Sequence, residues 1–296
     1  MARAREHRWS QRHLSHYVEG DLGALARYRL DRHARDCVDC GRGIRAMRAL
    51  VYALGGLGGP AGVRAPDTVF DLVRSAGTGG SGPHPGAGQP AASPASRASA
   101  ASAVSSVSPV AEAELIARAQ AGDVGAFERL SGAYADRLFM LLLRLLGDRA
   151  EAEDVAQEVM LRAWRAIGRF QARSSYFTWL YRIAVNEANR ALEKRARRPA
   201  SVPLGPEELR LPAPPDQDPA RQAETRELRL ALARALGDLP PPLRTAIVLR
   251  DIEGLSTREA AGIAGIGQAA FKSRLHQARL RVRAALGDQA LVTSGG

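Results

Sequence analysis

The residues best suited to chemistry lie near the start of the chain, where His33, Cys37 and Cys40 form H-x3-C-x2-C. One helical turn separates the imidazole from the first thiol and a tight turn separates the two thiols, a spacing that suits tetrahedral Zn2+ held by nitrogen and sulfur. Three such ligands require a fourth, and His7, His13 and His16 are the candidates. Two cysteines in 296 residues cannot form a disulfide framework, and closely spaced thiols in a reducing compartment more often bind metal or respond to oxidation. A hydrolytic zinc centre needs an open coordination position and a general base. No H-E-x-x-H occurs, so the expected Zn2+ is structural or redox-sensing, and no catalytic residue is expected.

A second group of functional residues lies between Asp148 and Arg190. Val155, Val159, Ala163 and Ile167 recur at helical spacing, which predicts a helix with that seam toward a core. Glu151, Asp154 and Glu158 fall at i, i+3 and i+7, one stripe of carboxylates with Gln157 beside it. Such a stripe is either a solvated face or a docking surface. Just after it, Phe170, Tyr176, Phe177, Trp179 and Tyr181 accompany Arg169, Arg173, Arg182 and Arg190, although aromatics are only 5% of the chain. Aromatic and arginine side chains together make a surface on which unstacked bases can lie; the alternative is an ordinary aromatic core.

“AEDVAQEVMLRAWRAIGRF” followed by “SSYFTWLYRIAVN” resembles the second conserved region of extracytoplasmic-function sigma factors of the sigma-70 family, in the RpoE-like group. The resemblance implies that Asp154, Gln157 and Glu158 contact the largest subunit of bacterial core RNA polymerase. It also implies that the loop Gln171, Arg173, Ser174, Ser175, with Tyr176, Trp179 and Arg182, opens and reads the promoter −10 element. Toward the end of the chain, “GLSTREAAGIAGIG” and “FKSRLHQAR” have the layout of a helix-turn-helix. Ser256 or Thr257 supplies an N-cap with Glu259 in the first turn. The helix from Gln268 to Arg283 carries Lys272, Arg274, Arg279, Arg281 and Arg283 with no acid before Asp288, as phosphate contact requires. This part resembles the fourth region of the same sigma factors. That implies −35 recognition by Gln268, Lys272, Ser273, Arg274 and His276, with Arg279 on the DNA backbone.

The N-terminal segment resembles a different family, the zinc-containing anti-sigma domain, through “LSHYVEGDL”, “DRHARDCVDC” and the amphipathic stretch that follows. The resemblance selects His7 as the first ligand and implies a site of His7, His33, Cys37 and Cys40. “RAPDTVFDLVRSAG” is similar to the fourth helix of that fold, which lies across a sigma factor. Inhibitor and sigma factor normally occupy separate chains. Here they are fused, which implies regulation in cis, with intramolecular contact between the zinc domain and the sigma domains and cover over the polymerase-binding surface.

The elements that must position all these groups read as helices, so the expected fold is all-α. The expected domains are 1–75, the zinc-binding domain; 76–110, a Gly/Ala/Ser/Pro-rich linker; 111–198, the −10 and polymerase-binding domain; 199–219, a Pro-rich linker; 220–287, the helix-turn-helix; and 288–296, a tail. The first linker spans on the order of 30 Å, which keeps a tethered inhibitor at high local concentration. A net charge of +11 favours a polyanionic partner. The N-terminus lacks a signal-peptide core, and the longest apolar stretches are too short to span a bilayer, so a cytoplasmic protein without membrane contact is expected. A stand-alone helix-turn-helix regulator using residues 220–286 is the alternative reading, but it gives the carboxylate stripe and the neighbouring aromatics no role.

Overall fold

The computed structural model describes residues 2–57, 64–77, 108–196 and 219–287. Among them the fold is all-α with no strand, as expected. The chain divides into two units, one of residues 1–61, 211–254 and 269–296, the other of residues 62–210 and 255–268.

The first unit begins with α1 (Ala2–Glu19), α2 (Ala24–Asp36) and α3 (Val38–Gly55). Leu14, Tyr17, Leu30 and Ile44 are buried together, with Trp9, Val18, Leu22 and Ala34 packed around them. Gly20, at φ 76°, ends α1, which favours a residue without Cβ. Cys37 breaks α2 from α3 by adopting an extended backbone, and its N–H donates to the His33 carbonyl at 2.9 Å. The H-x3-C-x2-C spacing therefore straddles a helix junction. The same unit contains α9 (Pro219–Gly237), α10 (Pro241–Ile247), a π turn at Val248–Ile252 and α12 (Gln268–Leu286). α3 packs on the π turn. A Cβ on Gly43 would lie 3.1 Å from Leu14 and 3.5 Å from Arg283, so the glycine permits close approach there.

The second unit is organised around α6 (Val124–Leu146), buried continuously from Leu138 to Leu146. A stretch buried on every side, here including Arg144, belongs in the middle of a bundle. α5 (Pro109–Gln120), α7 (Arg149–Ala166) and α8 (Tyr176–Ala196) all pack on it. Asp123 caps α6 by accepting from the Ala126 N–H at 2.9 Å, Gly147 closes it at φ 75°, and Asp148 caps α7 through the Glu151 N–H at 2.7 Å. A 3-10 turn at Asp67–Phe70 leads into α4 (Asp71–Gly77), and both pack on α7. α11 (Thr257–Ile263) lies on α8.

The expected linker boundaries are corrected at both ends: α4 runs to Gly77, and α5 begins at Pro109 with Ser108 as its cap. Residues 78–107, most of the Pro-rich linker and the 288–296 tail lie outside the described residues.

Phe127 is fully buried and touches Trp164 on α7 at a ring separation of 5.4 Å and Phe70 at 6.5 Å. Phe127→Ala is expected to lower the unfolding free energy by about 3–5 kcal/mol in denaturant titration. Val110→Ala, at a position 81% exposed, should change it by less than about 0.5 kcal/mol.

Candidate functional site

The four residues chosen for metal binding converge. One ligand atom from each of His7, His33, Cys37 and Cys40 lies within 4.8 Å of the others, and both thiol sulfurs are 3.4 Å from His7 Nδ1. Zn–N and Zn–S bonds of ordinary length in a tetrahedron place neighbouring ligands about 3.5 Å apart, so this spacing fits. His33 Nε2 is buried with no hydrogen-bond partner among the described residues, which is where a cation would supply the missing contact. Burial, then the neighbouring Cys37, pushes the Cys40 thiol up to about 12. A divalent cation would reverse that preference, because thiolate is the ligand form. His13 and His16, the other candidates for the fourth ligand, belong elsewhere: His13 stacks on Trp9 and hydrogen-bonds the Trp9 carbonyl at 2.7 Å.

The acidic stripe lies along α7, but its members differ. Asp154 is exposed and Gln157 half-buried, whereas Glu158 accepts from Arg162 at 2.6 Å, and Glu151 is 3.5 Å from Arg195. The turn 67–70 and α4, packed on the same helix, bury Val69, Phe70 and Val73. Two polar contacts fix them: Arg74 donates to Glu128 at 2.7 Å and the Ala65 N–H to Asp136 at 2.8 Å.

The aromatic cluster departs from the expected open platform. Phe170, Tyr176, Phe177 and Tyr181 are all buried, because α8 closes on α6 and its rings supply the contact area. The Tyr176 hydroxyl hydrogen-bonds Ser131 at 2.6 Å, and burial raises its pKa. Tyr176 is therefore a core residue here. Trp179 is half-exposed, 5.2 Å from Phe170 and 5.5 Å from Tyr176 by ring centroid. In the preceding loop Gln171, Arg173 and Ser175 are exposed and Ser174 is half-buried. Ala172 sits at φ 51°, a strained value for a residue with a Cβ. The Ser175 hydroxyl accepts from the Thr178 N–H at 3.2 Å at the start of α8. Arg182 donates to the Gly262 carbonyl of α11 at 3.1 Å.

On α12, Gln268 and Ser273 are exposed and Arg274 half-buried. Three other basic side chains of this helix meet α1 or the loop after it. Lys272 Nζ lies 2.7 Å from Asp21, and that hydrogen bond holds the Asp21 carboxyl below its ordinary value. His276 stacks on His16, with centroids 6.2 Å apart and planes 9° from parallel. Arg279 is only 1% exposed. It donates to Asp251 through Nε at 2.8 Å and Nη2 at 2.5 Å, and through Nη1 to Ser15 at 2.8 Å and Glu19 at 2.7 Å. Burial opposes the charge of Arg279, but the Asp251 and Glu19 carboxylates outweigh it, whereas burial raises the Glu19 pKa. The expected phosphate contact by Arg279 is thus corrected for this conformation. Phe271, Leu275, Ala278 and Val282 form the buried seam of α12, and position 279 turns inward with them.

Sequence reasoning missed Ser15, His16, Glu19 and Asp21 as partners of α12. Glu19 and Asp21 stand in “YVEGDL”, where Gly20 forces a turn; two acids at a helix end in a strongly basic chain were the available signal. Asp251 was also missed. The π turn inserts one residue into the helical register, and no spacing rule anticipates that. Ser256, by contrast, caps α11 as expected, in a capping box with Glu259.

Comparison with known proteins matches a sigma-70 region 2 model to residues 130–198 and a sigma-70 region 4 model to residues 229–282. Over 178 residues the chain is 36% identical to the RNA polymerase sigma-H factor of Pseudomonas aeruginosa, an alignment covering 58% of this chain and 92% of that protein. It is 35% identical over 170 residues to the ECF RNA polymerase sigma-E factor of Escherichia coli K12, covering 56% of this chain and 88% of the relative. With the sigma-E factor of Haemophilus influenzae the identity is 35% over 175 residues, covering 56% and 89%. Among the described residues no helix is long and apolar enough to cross a membrane. The matched regions, α6 to α8 and α9 to α12, are the parts that carry the acidic stripe, the aromatic helix and the basic helix, and by them the chain belongs to the extracytoplasmic-function sigma-70 family, the non-enzymatic sigma factors of RNA polymerase.

Proposed function

We propose that residues 2–77 inhibit this sigma factor in cis, occupying its DNA-reading and polymerase-facing helices until a signal releases them. The observation that carries this reading is the set of contacts made by α12: Lys272 with Asp21, Arg279 with Glu19 and Ser15, and His276 with His16. Lys272 and His276, assigned to −35 recognition, are partnered by the N-terminal segment and not open to DNA. The packing of α4 on α7, the helix of Asp154, Gln157 and Glu158, supports the same reading for region 2. The bond from Arg182 to Gly262 adds a closure within the sigma regions themselves.

In the released protein Asp154, Gln157 and Glu158 contact core RNA polymerase. Gln171, Arg173, Ser174, Ser175, Trp179 and Arg182 engage the −10 element, and Gln268, Lys272, Ser273, Arg274 and His276 the −35 element. Tyr176 supports Trp179 from beneath. The sigma-70 region 2 and region 4 models match residues 130–198 and 229–282 and so fall outside residues 2–77, which supports reading that segment as a part distinct from the sigma regions.

Zn2+ held by His7, His33, Cys37 and Cys40 would pin α1 to the α2–α3 junction and supply a structural cross-link there. That cross-link sets the position of α1, and hence of Ser15, His16, Glu19 and Asp21, against α12.

Affinity for bacterial core RNA polymerase, measured for the full chain and for a chain beginning at Val110, tests the inhibitory reading. The shorter chain is expected to bind at least tenfold more tightly, about 1.4 kcal/mol; equal affinities would contradict it. The metal reading predicts about one Zn2+ per chain by elemental analysis. Replacing Cys37 and Cys40 by Ser should abolish that metal and shift the full chain toward the affinity of the shorter one. Protein free of Zn2+ after purification under reducing conditions would contradict the assignment.

A further inference from the structure

The His16–His276 pair is not needed to explain masking, since Lys272 and Arg279 already supply ion pairs. Two imidazoles stacked at 6.2 Å are tolerated while both are neutral, but two imidazolium ions at that distance repel. The surroundings sharpen the constraint. From α1 and the loop after it, His16 is faced by His13 and Asp21; from α12, by Lys272 and Arg279. His276 is faced by His16 and His13 from α1 and by Arg279 and Arg283 from its own helix. The π turn packed nearby contributes Asp251, bound by Arg279, and Arg250, which acts on Glu19. α2 and α3 bring Arg27 and Arg48 to the Tyr17 ring of α1.

The nearby carboxylates are therefore already engaged: Asp21 by Lys272, Glu19 and Asp251 by Arg279. Among the described residues these carboxylates are shared with cations, and Asp21 offsets only part of two further positive charges. His276 Nδ1 is buried with no hydrogen-bond partner among the described residues, so a proton placed there gains no acceptor.

We propose that this histidine pair makes the contact between α1 and α12 a proton-sensitive latch, closed while both rings are neutral and released as they become charged. The proposal rests on the reading of residues 2–77 as a cis inhibitor and names acidification as one way to lift it.

The sign follows from where the protons are accepted. Burial lowers the pKa of both rings, helped for His16 by His13 and opposed by Asp21, and helped for His276 by His16 and Arg279. In an opened chain both return toward their ordinary value of about 6.5. The opened form then binds protons first as pH falls through that value, and the closed form loses its advantage. Above about pH 7.5 both forms hold neutral rings and the pair has no effect on the balance. Two protons taken up on opening give at most a hundredfold change in the opening constant per pH unit, on the order of the limit set by linkage.

Amide hydrogen exchange of the full chain tests this, with intrinsic rates corrected for pH and zinc content measured in each sample. Between about pH 7.5 and 5.5 the opening constant of peptides covering 12–20 and 271–283 is expected to rise at least fivefold, roughly, in the wild-type chain. His16→Gln with His276→Gln, which leaves His7, His33, Cys37 and Cys40 intact, should flatten that rise. An equal rise in the double variant, or none in the wild type while α12 stays protected, would overturn the latch. Absence of protection in α12 at every pH would instead overturn the cis-inhibitor reading on which it stands. A second measurement does not depend on the variant folding: NMR titration of the two imidazoles in the wild-type chain should give midpoints below the ordinary value. Midpoints at or above it would also overturn the proposal.

Discussion

A guanidinium can be taken out of water only where anions and acceptors replace its hydration, and Arg279 is the position on which this structure turns. Asp251 answers it from the π turn of its own region, and Glu19 and Ser15 answer it from α1. Removing one partner from a buried pair leaves an uncompensated charge, which costs about 3–5 kcal/mol where the pair is fully closed. The arrangement thus ties α1 to α12, the basic helix of region 4, through a group that neither can leave alone. Lys272–Asp21, partly exposed at its side chains, adds direction and register more than energy.

The cluster of His7, His33, Cys37 and Cys40 and the α12 contacts both involve α1. His7 stands on α1 about two turns or more before Ser15, His16 and Glu19, while His33, Cys37 and Cys40 span the α2–α3 break. Fixing His7 to that break fixes the direction in which α1 presents its later turns. Leu14 and Tyr17, buried against Leu30 and Ile44, do the same by packing. A small three-helix segment of this size has little core, and a metal cross-link is the common way to hold one.

Much of this was legible in the chain. The H-x3-C-x2-C spacing, with His7 added by the resemblance, named four side chains that converge, the Ser256 cap begins α11 at one of the two positions expected, and the two sigma regions were readable from contiguous motifs. Three things were not legible, each for a physical reason. The aromatics after Phe170 have the composition of a stacking platform, but composition does not say which way a ring points, and four of the five are core. Arg279 shares the charge of its neighbours on α12, yet its register places it with Leu275 and Ala278. The partners of α12 lie some 250 residues away in sequence, for example Glu19 and Arg279 at a separation of 260, and no local pattern encodes such a pairing. What could be noticed locally was the acid pair around Gly20.

The contact between α1 and α12 depends on Glu19 and Arg279 holding one another in solution. The most direct measurement is a double-mutant cycle on Glu19→Gln and Arg279→Met, read as the free energy of opening α12 from native-state amide exchange of the full chain. An interaction energy of about 1–3 kcal/mol between the two sites is expected. Additive effects, within about 0.3–0.5 kcal/mol, would mean that the two side chains do not meet and would contradict it.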